Sequence, residues 1–260
     1  TATFGFDLDQ VDQTNNVRLR GTVDFLSDST RIVMEPSTLK LLEREWTFNE
    51  DNYIKVRNSG WRFNDLTLQN GDQAITIDGL VSENPSHILK LDVQRLDLSL
   101  LNVLTDKKFT GTMNGRVKMS NYYGDRSLEN EIAVRELNIN NFLIGDITGK
   151  NEWDTAHHRF NINLAIDRTQ HRIMDLSGDY TPDRTVSPLN ISANLKEANL
   201  KIVEPFIEDI LSNIEGTISG DFKIVGQLAS PQISGEGKVA DAQIMINYLK
   251  TLYRFTGKIG

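Results

Sequence analysis

Apolar and polar side chains alternate with a period of two along most of this chain, and that alternation limits what it can fold into more than any other feature. In "HRFNINLAI", Phe160, Ile162, Leu164 and Ile166 fall on one side of an extended backbone and Asn161 and Asn163 on the other. The same register runs through Val17, Leu19, Val23 and Phe25, with Gly21 between them, and through Ile75 and Ile77. It returns in Leu89, Leu91 and Val93, and in Leu189, Ile191, Ala193 and Leu195. Successive side chains of a strand point to opposite faces, so such a sequence builds strands with one apolar and one polar face. Asn70-Gly71, Asn114-Gly115 and Asp78-Gly79 mark places where the chain turns or bulges. The fold class expected is all-β, an antiparallel sheet.

Helical periodicity is scarce. "VEPFIEDILSNI" places Phe206, Ile207, Ile210, Leu211 and Ile214 on one stripe after Pro205, which predicts a short amphipathic helix. "LSLLNVLTDKK" (98–108) is a weaker helical candidate, and "STLKLLEREWTF" reads as strand because its neighbours alternate.

A repeat organises the chain. At an offset of 105 residues, Gly111, Thr112, Gly115 and Lys118 fall on Gly216, Thr217, Gly220 and Lys223. Val134 falls on Val239 and Ile139 on Ile244, and slips of three residues bring Leu98 to Leu200 and Gly149-Lys150 to Gly257-Lys258. The expected unit is a strand, a short helix and a run of strands. This predicts a single elongated segment over 1–260, with a divergent unit at 1–90, one copy at 91–190 and a truncated second copy at 191–260.

Composition narrows the function. A net charge of −8 without a basic stripe argues against nucleic acid as a partner. The absence of cysteine excludes disulfides and thiolate metal sites. His87, His157, His158 and His171 lack metal-ligand spacing, and "DLDQVD" (7–12) lacks the central glycine and closing glutamate of a calcium loop. No phosphate-binding loop or nucleophile motif occurs, so the expectation is a protein that is not an enzyme and has no cofactor. Trp46, Trp61 and Trp153 lie in strand contexts and read as core or groove wall rather than a sugar platform. Gly216, Gly220, Gly226, Gly235 and Gly237 fall on the apolar side or at turns, where they let a sheet bend. No apolar run is long enough to cross a bilayer, and the chain reads as a segment of a longer protein whose targeting signal or anchor lies outside it.

"GTISGDFKI", then Gly226, four residues and Pro231-Gln-Ile-Ser-Gly235, then "KVADAQIMI" and "FTGKI", resembles the carboxy-terminal repeat of the TamB and AsmA-like family. Residues 46–80 also resemble a unit of that family, whereas "SNYYGDRSLENE" in the 91–150 copy departs from it, having no proline. The resemblance implies a long antiparallel sheet curled into a U-shaped β-taco with an apolar interior and one or two short helices. It implies a periplasmic protein of the Gram-negative envelope, anchored at the inner membrane outside this segment. Its partners would be phospholipid and an outer-membrane barrel of the Omp85 class, with roles in lipid transport, outer-membrane biogenesis, and protein translocation, assembly and secretion.

The residues alone point the same way, because inward Ile, Leu, Val and Phe with no covering layer leave a hydrophobic groove for acyl chains. Strand parity assigns to that groove Val117, Met119, Ile132, Val134, Phe160, Ile162, Leu164, Ile166, Ile218, Phe222, Ile224, Val239, Ile244 and Ile246. The alternative is a structural or adhesin-like β-solenoid or sandwich with a closed core. A carbohydrate-active β-helix would need a pair of carboxylates in a cleft, and the acids here form no such constellation.

Overall fold

The computed structural model describes residues 1–9, 16–41, 44–124, 126–204 and 211–259. Its eighteen described strands pair antiparallel and are assigned to one sheet, the all-β class that the alternation predicts. Two compact units divide the chain, Thr1–Val103 with Thr112–Ile132, and Leu104–Gly111 with Ala133–Gly260.

The first unit holds β1 (Ala2–Asp9), β2 (Asn16–Phe25), β3 (Thr30–Met34), β4 (Thr38–Leu41), β5 (Arg44–Phe48), β6 (Tyr53–Arg57), β7 (Gly60–Asn70), β8 (Gln73–Val81) and β9 (Ile88–Asp97). A 3-10 turn, η1 (Leu98–Val103), follows β9 where sequence pattern suggests a helix. Long strands β2 and β7 are joined by two routes, one through β3 and β6 and one through β4 and β5. Where β3 breaks from β4, Asn52 accepts the Met34 N–H at 2.9 Å and donates to the Met34 carbonyl at 2.8 Å. Ser37 accepts the Arg20 N–H at 2.8 Å, so backbone groups freed by the break are satisfied by buried side chains.

Strands β10 (Phe109–Ser120) and β11 (Ser127–Ile139) each have residues in both units. The second unit continues through β12 (Phe142–Asp154), β13 (Arg159–Arg168), β14 (His171–Tyr180), β15 (Leu189–Asn199), the 3-10 turn η2 (Leu200–Val203), β16 (Leu211–Gln227), β17 (Ser230–Ile246) and β18 (Thr251–Ile259). From β12 to β18 each strand pairs with the next. The helix expected around Pro205 is corrected at its end. Leu211–Ile214 opens β16, and Ile214 is buried at 2% exposure in the sheet. An antiparallel partner supplies ladder bonds that a lone amphipathic turn cannot. Residues 205–210 lie outside the described residues.

Six strands break the alternation in the same way. Asp65, Arg95, Glu136, Glu197, Asn213 and Asp241 all have φ between 44° and 51°, the left-handed region that non-glycine residues seldom adopt. In β7, β9 and β15 such a residue is one extra against the partner strand, a β-bulge: Phe63 and Leu66, for example, oppose Gly79 and Ile77. The extra residue shifts parity, so apolar residues recur at positions n, n+3 and n+5. Val93, Leu96 and Leu98 follow this pattern, as do Val134, Leu137 and Ile139, and Leu195, Ala198 and Leu200.

A bulge leaves its N–H outside the ladder, and a side chain on another strand accepts it. Asp65 donates to Asp78 Oδ1 at 3.2 Å, Arg95 to Asn114 Oδ1 at 3.0 Å, Glu136 to Asp146 Oδ1 at 2.7 Å and Glu197 to Ser219 Oγ at 2.8 Å.

The repeat has a matching geometry. Gly111 (φ 131°) faces the backbone around the Glu136 bulge, and Gly216 (φ 103°) faces that around Asp241. Both the glycine pair and the bulge pair are separated by the 105 residues of the sequence offset. A Cβ on Gly216 would meet the Ala240 carbonyl oxygen at 2.8 Å, and one on Gly111 the Arg135 carbonyl oxygen at 2.9 Å. Urea unfolding should therefore show Gly216→Ala destabilised by about 2 kcal/mol and Asp146→Ala by about 1 kcal/mol through the orphaned Glu136 N–H. Glu136→Gly should be stabilised by about 1 kcal/mol, because glycine relieves the left-handed backbone.

Candidate apolar groove

Residues directly opposed in an antiparallel ladder share a face, so the pairings of the second unit identify that face residue by residue. One row crosses five strands as Leu164, Leu176, Ala193, Phe222 and Gly235. The next row is Ile162, Gly178, Ile191, Ile224 and Ile233, and beyond it lie Phe160, Tyr180, Leu189, Gly226 and Pro231. On the other side Ile147, Ile166, Met174, Leu195, Gly220 and Gly237 align.

The opposite face is polar. Its rows read Asn163, Ser177, Ser192, Lys223 and Ser234, and Ala165, Asp175, Asn194, Asp221 and Glu236. Asn194 donates to Asp221 at 2.8 Å, and Arg172 donates to Asp167 and to Asp175 at 2.6 Å each. Hydrogen bonds to Asp167 first, then Asp175, push the Arg172 guanidinium pKa further up. A shallow depression of about 370 Å³ lies against this side, its lining including Asp175, Asn194, Asp221, Lys223 and three serines.

The apolar face is neither open water nor a dry core. Leu189, Ile191 and Ala193 of β15 are 5–9% exposed, while Phe160, Ile162, Leu164, Leu176, Leu195, Phe222 and Ile224 are half-buried. Among the described elements of this unit, extensive contacts link only hydrogen-bonded neighbour strands, apart from those of η2. The turn η2 touches both β16 and β12. These strands are four ladder steps apart, about 19 Å at the usual spacing, so η2 spans one end of the strands between them. Its Ile202 is 7% exposed.

The structure places Phe160, Ile162, Leu164, Ile166, Ile218, Phe222, Ile224 and Val239 on this one face. Ile244 and Ile246 have the opposite parity to Val239, yet the extra residue at Asp241 brings them to the same side, where Ile246 opposes Leu211. Val134 is buried at 6% in β11, and Ile132 in the same strand is half-buried. Val117 and Met119 belong to the first unit, opposite Leu91 and Leu89 of β9, which in turn oppose Ile77 and Gly79.

Sequence reasoning left Met174, Leu176, Leu189, Ile191 and Leu195 out of the groove set, although their alternation is plain in β14 and β15. It also left out Leu137, Ala198 and Ala242, which are 9%, 0% and 3% exposed and follow the bulges. The n, n+3, n+5 spacing was the signal available for these. Of the tryptophans, Trp46 is 1% exposed, Trp153 is half-buried opposite Phe160, and Trp61 is 44% exposed and stacked on Phe63 at 6.4 Å between ring centres.

Phe222 has a particular task. A Cβ at Gly235 or Gly237 would meet its ring at 2.8 or 2.9 Å, so the ring lies flat over both glycines and fills the space that their side chains leave. The histidines are local: His157 Nδ1 lies 2.8 Å from Asp154, and His87 Nδ1 lies 2.8 Å from the Ser82 hydroxyl. Among the described residues no cluster of three or more His, Cys, Asp or Glu is arranged to hold a metal ion. The calcium-like segment 7–12 falls largely outside the described residues. No protein-family model, curated protein or solved structure matches the chain.

Phe222→Ala should destabilise the protein by about 2 kcal/mol through the gap left over two glycines. Ile233→Ala, at a side chain 68% exposed, should stay within about 0.5 kcal/mol of the parent. Thermal or urea unfolding of the two variants checks this.

Proposed function

We propose that this chain is a non-enzymatic scaffold whose apolar sheet face binds and conducts the acyl chains of phospholipids. The observation that carries the reading is the apolar face of the second unit, four rows deep and half-buried over much of its extent. A contiguous apolar surface left partly open to solvent suits a binding surface. Acyl chains gain roughly 0.8 kcal/mol for each methylene removed from water, and the Asp, Asn and Ser rows keep the other face wetted.

The same reading places the protein in the periplasm of a Gram-negative envelope, between an inner-membrane anchor and an Omp85-class barrel, in support of outer-membrane biogenesis and protein assembly. That setting rests on the resemblance of residues 195–260 to TamB and AsmA-like repeats.

Lipid extraction with native mass spectrometry of the purified protein should recover phospholipid, and fluorescent phospholipid should transfer to the delipidated protein. Ile224→Asp, on the apolar face, should reduce loading several-fold, whereas Lys223→Asp, one residue away on the polar face, should leave it near the parent value. Absence of both co-purified and transferred lipid would sink the proposal, as would equal loading of the two variants.

A further inference from the structure

Beyond the groove itself, the structure carries a feature at the η2 end of the second unit that bears on which amphiphiles bind. Arg168 ends β13, two residues after Ile166, so period-two alternation puts it on the apolar face. Its guanidinium lies over the Phe142 ring, 4.8 Å from the centre, and Lys201 of η2 lies 5.9 Å from the same ring. The two cations are therefore no more than about 11 Å apart, roughly one screening length at physiological ionic strength.

Of the acids next to them in sequence, Asp167 takes Arg172 at 2.6 Å, and Glu204 accepts the Asn213 N–H at 3.0 Å through Oε1 while its Oε2 is buried without a hydrogen-bond partner. Among the described residues neither Arg168 nor Lys201 is in an ion pair, although Arg159 and Arg172 of the same unit are. Stacking on an aromatic ring holds the plane of a guanidinium and leaves its N–H edge free to donate. The backbone of Lys201 is capped in η2, its N–H donating to Asn199 Oδ1 at 2.8 Å. Two cations that share one ring and have no ion pair among the described residues, in a protein of net charge −8, suit a site for negative charge.

We propose that Arg168 and Lys201, set over Phe142, bind the anionic phosphate oxygens of an amphiphile whose alkyl chain lies on the apolar face. This assignment rests on the groove reading, and the neutral arm of the test separates the two. Binding of monododecyl phosphate, of neutral monododecanoylglycerol and of inorganic phosphate, all below micellar concentration, is measured by calorimetry. The proteins compared are the parent, Arg168→Gln/Lys201→Gln and Lys223→Gln, each checked for an unchanged unfolding midpoint.

The parent should bind the alkyl phosphate about tenfold more tightly than the neutral amphiphile, the effect of one or two charge-assisted hydrogen bonds. The double variant should lose that preference while its affinity for the neutral amphiphile is unchanged, and Lys223→Gln should behave as the parent. A preference that survives in the double variant, or equal binding of the two amphiphiles by the parent, overturns this site and leaves the groove standing. Inorganic phosphate binding as tightly as the alkyl phosphate overturns the amphiphile assignment in favour of a plain anion site. Binding of neither amphiphile overturns the groove and this site together.

Discussion

Because strand side chains repeat every two residues, a slip of one residue would move every apolar group of a strand to the wrong face. This protein uses such a slip deliberately. At Asp65, Arg95, Glu136, Glu197, Asn213 and Asp241 one residue turns left-handed, and the apolar series resumes on the same side three positions on. The uniform face of the sheet depends on these points, and they depend in turn on a hydrogen bond. An N–H expelled from the ladder would be costly inside the sheet, and Asp78, Asn114, Asp146 or Ser219 receives it in four of the six. The caps are on other strands, so each bulge is held by tertiary structure and not by its own sequence alone.

How much of this was legible follows from the same physics. Strands such as β13 and β15 were readable because unbroken alternation leaves only one arrangement with all apolar groups together. The 105-residue repeat was readable because glycines have few substitutes where a neighbouring backbone comes close. What strict parity could not place were the residues beyond a bulge. Val239 and Ile244 differ in parity and still share a face, which nothing in a period-two reading explains. Leu211–Ile214 was read as helix because its spacing suits a helical stripe. The left-handed Asn213 shifts parity there too, and its N–H donates to Glu204 at 3.0 Å.

The two faces divide the work. The polar rows are stitched by short side chains and by Arg172, which bridges two aspartates. The apolar rows contain glycines covered by a neighbour's ring, as Phe222 covers Gly235 and Gly237. A face built in this way carries low relief, with few side chains rising far above the sheet. Its charged groups are held at the margin, where Arg168 and Lys201 share one ring.

The pairing of a left-handed glycine with a bulge on the next strand also bears on how such a chain can change over time. Losing or adding one residue inside a strand would separate Gly216 from Asp241 and leave both backbones strained. Copying a whole unit keeps glycine, bulge and side-chain acceptor in step. Length in this architecture is therefore free to vary in large quanta and resists change in small ones, as a chain is lengthened by links and not by fractions of a link.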